Sequence, residues 1–284
     1  MSYTRRRAKP PPSLFLIIFM KHLIFLDIDG TLIQPNQKPN TNRLPSVIKR
    51  LSRKGVLFAL NSNRSLEDVE RIYRKFSLNG PMILENGVYF IDNGKRRMLI
   101  KIAKPVHPYI VKIVKNFVKR NKLECKVLFT DTVRVIKSRS IKTIPLIILV
   151  NRYRKYTASI HIYRHGTHDK ILSQKLVRYI RRRFYDEGAD LHVESPKAFG
   201  NVVVFPNCTD KGKALKEIKK YYPGYVFYMV GDDSADLETL REVESFFAVG
   251  NAQQDVQKKA RYISSYRYTK GVVDILEYFE KIKI

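Results

Sequence analysis

Tryptophan is absent from this chain of 284 residues, cysteine occurs twice, and acids are scarce, with 26 Asp and Glu against 54 Lys and Arg. The cysteines, Cys125 and Cys208, lie far apart in sequence and match neither a disulfide framework nor a paired-cysteine zinc site. A reducing cytoplasm is the expected setting. Long apolar runs are also missing: the stretch from Leu14 stops at Lys21 and His22, well short of the roughly 20 residues a spanning helix needs. Membrane integration is therefore not expected. Disorder is excluded by the 44% of apolar residues, and the length suits one large α/β domain or a core domain with a smaller companion.

The formal charge is +28, which makes nucleic acid, anionic lipid or small phosphorylated molecules the candidate partners. Residues 88–200 hold 26 of the basic and 8 of the acidic side chains, a net of +18 in one segment. Residues 1–19 hold four basic groups and no acid, with prolines at 10, 11 and 12. This extension lacks a small-residue cleavage pattern and reads either as a dispensable tail, with Met20 as the start, or as a flexible basic arm.

From Lys21 onward short β-branched runs alternate with helical spacing, which predicts strands covered by helices on both faces. Strands are expected at His22–Leu26, Val56–Leu60 and Met82–Leu84, with helices from Leu44 to Lys54 and from Ser65. After Asn86-Gly87 the pattern changes. Val88–Ile91, Asp92-Asn93-Gly94 and Arg97–Ile102 predict a hairpin. Helices near 107–121 and 169–186 then alternate with strands near 126–136, 146–150, 157–163 and 190–194, a separate α+β module. Val202–Phe205 leads back to a parallel-type alternation: helix 211–221, strand Val226–Val230, helix 234–242, strand Phe246–Val249 and two closing helices. The expected division is 20–87 with 201–284 as core and 88–200 as insertion.

Four short motifs carry chemistry. Asp27-Ile28-Asp29-Gly30-Thr31 follows an apolar strand, and two carboxylates two residues apart share one site only where the strand ends and the chain curls at Gly30. They could hold a hard cation and leave one carboxylate free to attack phosphorus, or form a helix-capping loop. Ser62 and Asn63 end a second strand just ahead of a helix, where a hydroxyl and free N–H groups suit a phosphate oxygen or a plain helix cap. Lys211 opens another helix and can offset phosphate charge. Asp232, Asp233 and Asp236 crowd the end of Val226–Val230 and repel one another unless a cation compensates them. All four motifs fall at carboxyl ends of strands, where open α/β sheets bind ligands.

In this order the motifs resemble those of the haloacid dehalogenase superfamily of phosphohydrolases. The match is to the Cof-like and sucrose-phosphatase-like subgroup, whose large α/β cap is inserted between the second and third motifs. The resemblance runs from residue 20 to the end, and the tail FAVGNAQQDVQKKARYISSYRYTKGVVDIL is similar to that family's closing pattern. It implies a Rossmann-like parallel-sheet core with an inserted α+β cap. It also implies Mg²⁺, held by Asp27, the Asp29 carbonyl and Asp232, and a small phosphomonoester substrate of the sugar phosphate or phosphoglycolate class. Asp27 would then be the nucleophile, Asp29 the acid and base, Ser62, Asn63 and Lys211 the phosphate ligands, and Asp236, Asp233 and Asn251 supporting groups. Hinges for cap closure are expected near Asn86-Gly87 and Phe199-Gly200. Two departures stand out: Ala235 replaces a common Asn, and Asn63 a common Gly.

Outside these motifs, His161, His165 and His168 read as surface histidines rather than a zinc site. Arg152, Arg154, Lys155 and Arg164, with Arg181 to Arg183 near a helix end, read as a solvated basic face or an anion-attracting lid. The alternatives to a small-metabolite phosphatase are an enzyme acting on nucleic-acid ends, a phosphomutase, and a non-catalytic basic binding module.

Overall fold

A computed structural model describes residues 20–101, 105–136, 139–195 and 200–283, so the extension before Met20 and the expected hinge at Phe199 lie outside it. In chain order the strands are β1 (Lys21–Leu26), β2 (Leu57–Asn61), β3 (Met82–Leu84), β4 (Tyr89–Asp92), β5 (Lys95–Met98), β6 (Lys126–Thr130) and β7 (Leu146–Asn151). They continue with β8 (Ala158–Arg164), β9 (Thr167–His168), β10 (Leu191–Glu194), β11 (Val202–Pro206), β12 (Tyr225–Gly231), β13 (Ser245–Ala248) and β14 (Tyr262–Ile263). The helices are α1 (Leu44–Ser52), α2 (Leu66–Lys75), α3 (Val106–Arg120), α4 (Thr132–Ile136), α5 (Lys170–Glu187), α6 (Lys211–Ile218), α7 (Gln254–Gln257) and α8 (Tyr268–Lys283).

One sheet runs β14-β13-β12-β1-β2-β3-β4-β5, parallel from β14 to β3 and closed by the antiparallel pair β4 and β5. β1 lies at its centre with Leu23 to Leu26 fully buried. Its alternation sends Ile24 and Leu26 into a cluster with α1, α2 and α8, and Leu23 and Phe25 into another with α6 and α7. Burial on both faces is why β1 carries no polar residue between His22 and Asp27.

The second sheet runs β10-β11-β8-β7-β6, with β9 beside β8. One face of β8, Ala158, Ile160 and Ile162, packs with α3 and α5. The other face, Ser159, His161 and Tyr163, looks into a cleft shared with the first sheet.

Four expectations need correction. The hairpin belongs to the first sheet, not to the inserted segment: a tight turn at Glu85, Asn86 and Gly87, all at positive φ, folds β4 back onto β3 and buries Tyr89, Phe90 and Ile91. β11 belongs to the second sheet, between β10 and β8. The inserted unit is therefore displaced toward higher numbers relative to 88–200. The strand expected to reach residue 136 stops at Thr130, and α4 follows. The helix expected over 234–242 is a 3-10 turn, Asp236–Arg241.

Candidate active site

Asp27 stands one residue beyond β1, and its backbone N–H donates to the Val230 carbonyl at 3.0 Å, extending the β1–β12 pairing to the point where Gly231-Asp232 begins. Both acidic motifs thus reach one spot. Gly30 then turns the chain with φ +94°, and a Cβ there would lie 2.1 Å from Asp232 Oδ2, so only glycine allows the first loop to approach the second. Thr31 Oγ1 donates to Asp232 Oδ1 at 2.7 Å.

Lys211 is the first residue of α6, the helix packed against the 3-10 turn that carries Asp236. Its Nζ donates to Asp27 Oδ1 and to Asp236 Oδ1, both at 2.6 Å. Asp236 Oδ2 accepts from the Asp232 and Asp233 N–H groups at 2.9 and 3.3 Å. Glu238 accepts from the Lys211 N–H at 2.8 Å. A Cβ on Gly212 would sit 2.1 Å from the Glu238 carbonyl, so this glycine permits the close approach of α6 that delivers the lysine.

Carboxylate oxygens of Asp27, Asp232 and Asp236 lie within 4.8 Å of one another. Burial pushes the Asp27 carboxyl well up, against the pull of Lys211. Burial, with Asp27 and Asp236 nearby, pushes Asp232 up to about 9. A cluster of hard oxygen donors that resists ionisation without added positive charge fits a divalent cation such as Mg²⁺. Asp29 differs: burial would raise it, but the Arg64 guanidinium outweighs burial and holds it below its ordinary value. Arg64 Nε and Nη2 clamp the Asp29 carboxylate at 2.7 and 2.5 Å.

The remaining expected residues divide. Ser62, Asn63 and Asp233 line the same cleft of about 300 Å³ as Asp27, Asp29 and Lys211. Ser62 is buried, its Oγ accepting from the Arg64 N–H at 3.2 Å. Asn251 does not line the cleft; it ties the Gly30 carbonyl (2.8 Å) to the Tyr268 N–H (2.9 Å) and so pins the first loop. Ala235 lines the cleft and offers it no polar side-chain group.

The histidine expectation also needs correction. His165 is exposed, but His161 and His168 are half-buried in the cleft wall. Burial lowers the His161 imidazole to about 3, so it is neutral. Alternation along β8 is the signal that would have turned Ser159, His161 and Tyr163 to one face. The basic face also divides: Arg154 is buried, while Arg152, Lys155 and Arg164 are exposed. Glu85, unmarked by any motif, accepts from the N–H groups of Lys155, Tyr156 and Thr157 at 2.9–3.4 Å, fastening the β7–β8 turn to the first sheet.

Residues 24–276 match the family model described as haloacid dehalogenase-like hydrolase. The chain belongs to this family. It is 18% identical to a 5-amino-6-(5-phospho-D-ribitylamino)uracil phosphatase of Escherichia coli, over 90% of this chain and 94% of the relative. It is 23% identical to a phosphoglycolate phosphatase of Thermoplasma volcanium, over 92% and 99% of the two chains. A haloacid dehalogenase-like hydrolase from Bacteroides thetaiotaomicron shares its fold, with a TM-score of 0.68 at 18% identity over 91% and 99% of the chains. Its fold class is a Rossmann-like parallel-sheet core with an inserted cap, and its enzyme class is phosphatase. Among the described residues no helix is long and apolar enough to cross a membrane, and Cys125 and Cys208 are both free.

Proposed function

We propose that this phosphatase hydrolyses a small phosphomonoester with Mg²⁺ bound, through an aspartyl-phosphate on Asp27. The observation that carries the reading is the constellation of buried Asp27, Lys211 and Asp236 with half-buried Asp232 at the carboxyl end of β1 and β12, opening into a cleft that Ser62 also lines. Phosphoryl transfer asks for positioning and charge compensation more than for elaborate covalent chemistry.

Asp27, Asp232 and the Asp29 backbone would hold the cation, whose chemistry when bound is to neutralise the phosphoryl oxygens and lower the Asp27 and Asp232 carboxyls into their ionised range. Asp27 attacks phosphorus, forming an O–P bond as the ester O–P bond breaks. Asp29 supplies a proton to the departing oxygen and afterwards takes one from the attacking water. Its acid role requires the clamp with Arg64 to open as substrate enters, since the clamped carboxylate is ionised. Ser62 and Lys211 hold phosphoryl oxygens, with Asn63 beside them, and Asp236 aims Lys211 while Asp233 supports the same turn. The names of the relatives support substrates the size of metabolites.

The test is inorganic phosphate release from p-nitrophenyl phosphate, 2-phosphoglycolate and sugar phosphates. Turnover with Mg²⁺, its loss with chelator, and at least about a 10³-fold fall in Asp27→Asn are expected. Unchanged turnover in Asp27→Asn would remove the nucleophile assignment.

A further inference from the structure

Among the described residues three cationic side chains of Lys or Arg line the catalytic cleft: Arg64, Arg154 and Lys211. Two are neutralised by carboxylates, Arg64 by Asp29 and Lys211 by Asp27 and Asp236. Arg154, from the β7–β8 turn of the inserted unit, is equally buried, with 6% of its surface exposed. Among the described residues it has no carboxylate within ion-pair distance. Its Nη1 donates to Asn63 Oδ1 at 3.1 Å and to Thr157 Oγ1 at 3.2 Å, while its buried Nε has no partner and its Nη2 makes no hydrogen bond to the described residues. Burial holds this guanidinium below its ordinary range. Burying a cation costs several kcal/mol unless it is paired, and here Asp68, Glu85 and Asp29 offset that cost only at a distance, so a directly bound anion would stabilise the position.

The free Nε/Nη2 edge has a counterpart in the same cleft. Arg64 grips the Asp29 carboxylate side-on through those two nitrogens, the fork geometry that matches a planar carboxylate. Arg154 keeps this edge unused while its far nitrogen is tied down beside Asn63. Its backbone is held too, since Glu85 takes the N–H groups of Lys155, Tyr156 and Thr157 and the Thr157 hydroxyl. Among the described residues the neighbouring wall, Ser159, His161 and Asn201, brings no cation that would compete for an anion, and Asp68 is an acid that shares the cleft with Arg154.

We propose that Arg154 is a specificity residue that binds a carboxylate on the leaving group through Nε and Nη2, and that Glu85 is the positioning residue that holds the turn carrying it. The phosphatase prefers phosphomonoesters bearing a carboxylate close to the ester oxygen. This rests on the reading of the site as a phosphatase, and it narrows the substrate class within that reading.

The experiment compares 2-phosphoglycolate with 2-hydroxyethyl phosphate, which differ by a carboxylate against a hydroxymethyl group, using the full chain with Mg²⁺. Wild type is expected to favour the carboxylate, and Arg154→Gln to lower the ratio of the two kcat/KM values by about 100-fold, mainly through KM. Arg154→Lys falls between, since an ammonium keeps the charge but loses the fork, and added guanidinium partly restores the ratio in Arg154→Ala. Glu85→Gln lowers the ratio in the same direction by a smaller factor. Binding of 2-phosphoglycolate to Asp27→Asn, followed by calorimetry, should weaken by the same factor when Arg154→Gln is added. Equal loss on both substrates would assign Arg154 to the transferring phosphoryl group and overturn the carboxylate proposal, as would a wild type indifferent to the carboxylate; both leave the phosphatase reading standing. Absent turnover with binding that still depends on Arg154 would sink the phosphatase reading and keep the anion site, and neither turnover nor binding would sink both.

Discussion

Asp27 and Asp29 are two residues apart and face opposite electrostatic surroundings. Asp27 shares its burial with other acids and one lysine, whereas Asp29 is paired with the Arg64 guanidinium. Among the described residues Lys211 is the one cation that bridges Asp27 and Asp236, so Lys211→Met should leave two buried carboxylates without a paired cation. Breaking such a pair costs about 3–5 kcal/mol, and a clear drop in melting temperature with at least a 100-fold loss of kcat is the expected result; unchanged kcat would show that the lysine serves the fold alone. His161 allows a cleaner test because it sits off the acidic cluster. Unfolded, its imidazole titrates near 6.5; folded, burial keeps it neutral down to about 3. Between these values the unfolded chain binds the extra proton, so acid favours unfolding and the loss begins as pH falls below about 6.5. The slope from this one group is up to about 1.4 kcal/mol per pH unit. His161→Gln should therefore lose less melting temperature than wild type between pH 7 and 4.5, and parallel curves would contradict the assignment.

Among the elements, the loop after β1 is tightly constrained. Gly30 combines a left-handed φ with an approach to Asp232 that no side chain tolerates. Gly30→Ala should cost more than about 2 kcal/mol and abolish activity, checked by thermal melting and phosphate release; an active, stable variant would mean that the two loops can separate without loss. This loop was legible from sequence because the curl, the two acids and the preceding apolar strand are contiguous. The hairpin was legible as a hairpin but not by sheet, since alternation within β4 and β5 is the same whether β4 pairs with β3 or with a strand of the insertion. β11 was misplaced for the same reason: Val202 to Pro206 carries no mark of its partners, β10 and β8. Arg64 and Glu85 escaped notice because their roles depend on groups that meet only in three dimensions, Asp29 in one case and the β7–β8 turn in the other. Arg154 hid among many exposed cations, and only its burial sets it apart.

At the scale of the molecule, a surplus of positive charge surrounds a small buried cluster of acids. The net +18 of residues 88–200 attracts anions at long range, an effect that salt screens over about 8–10 Å, while the acids at the end of β1 and β12 would repel a phosphate unless a cation intervenes. Binding of a divalent cation to the folded chain alone therefore links catalysis to stability. With the cation at 100 times its dissociation constant the folded state gains about 2.7 kcal/mol, which for a chain of this size corresponds to a rise in melting temperature of about 5–10 °C. Mg²⁺ should produce that rise in wild type, chelator should reverse it, and Asp232→Asn should remove most of the response. A general ionic-strength effect on the basic surface would act on wild type and Asp232→Asn alike and would be matched by NaCl of equal ionic strength. A shift that survives Asp232→Asn, or that NaCl reproduces, would place the cation's effect on the outer surface and not at the acids beside Asp27.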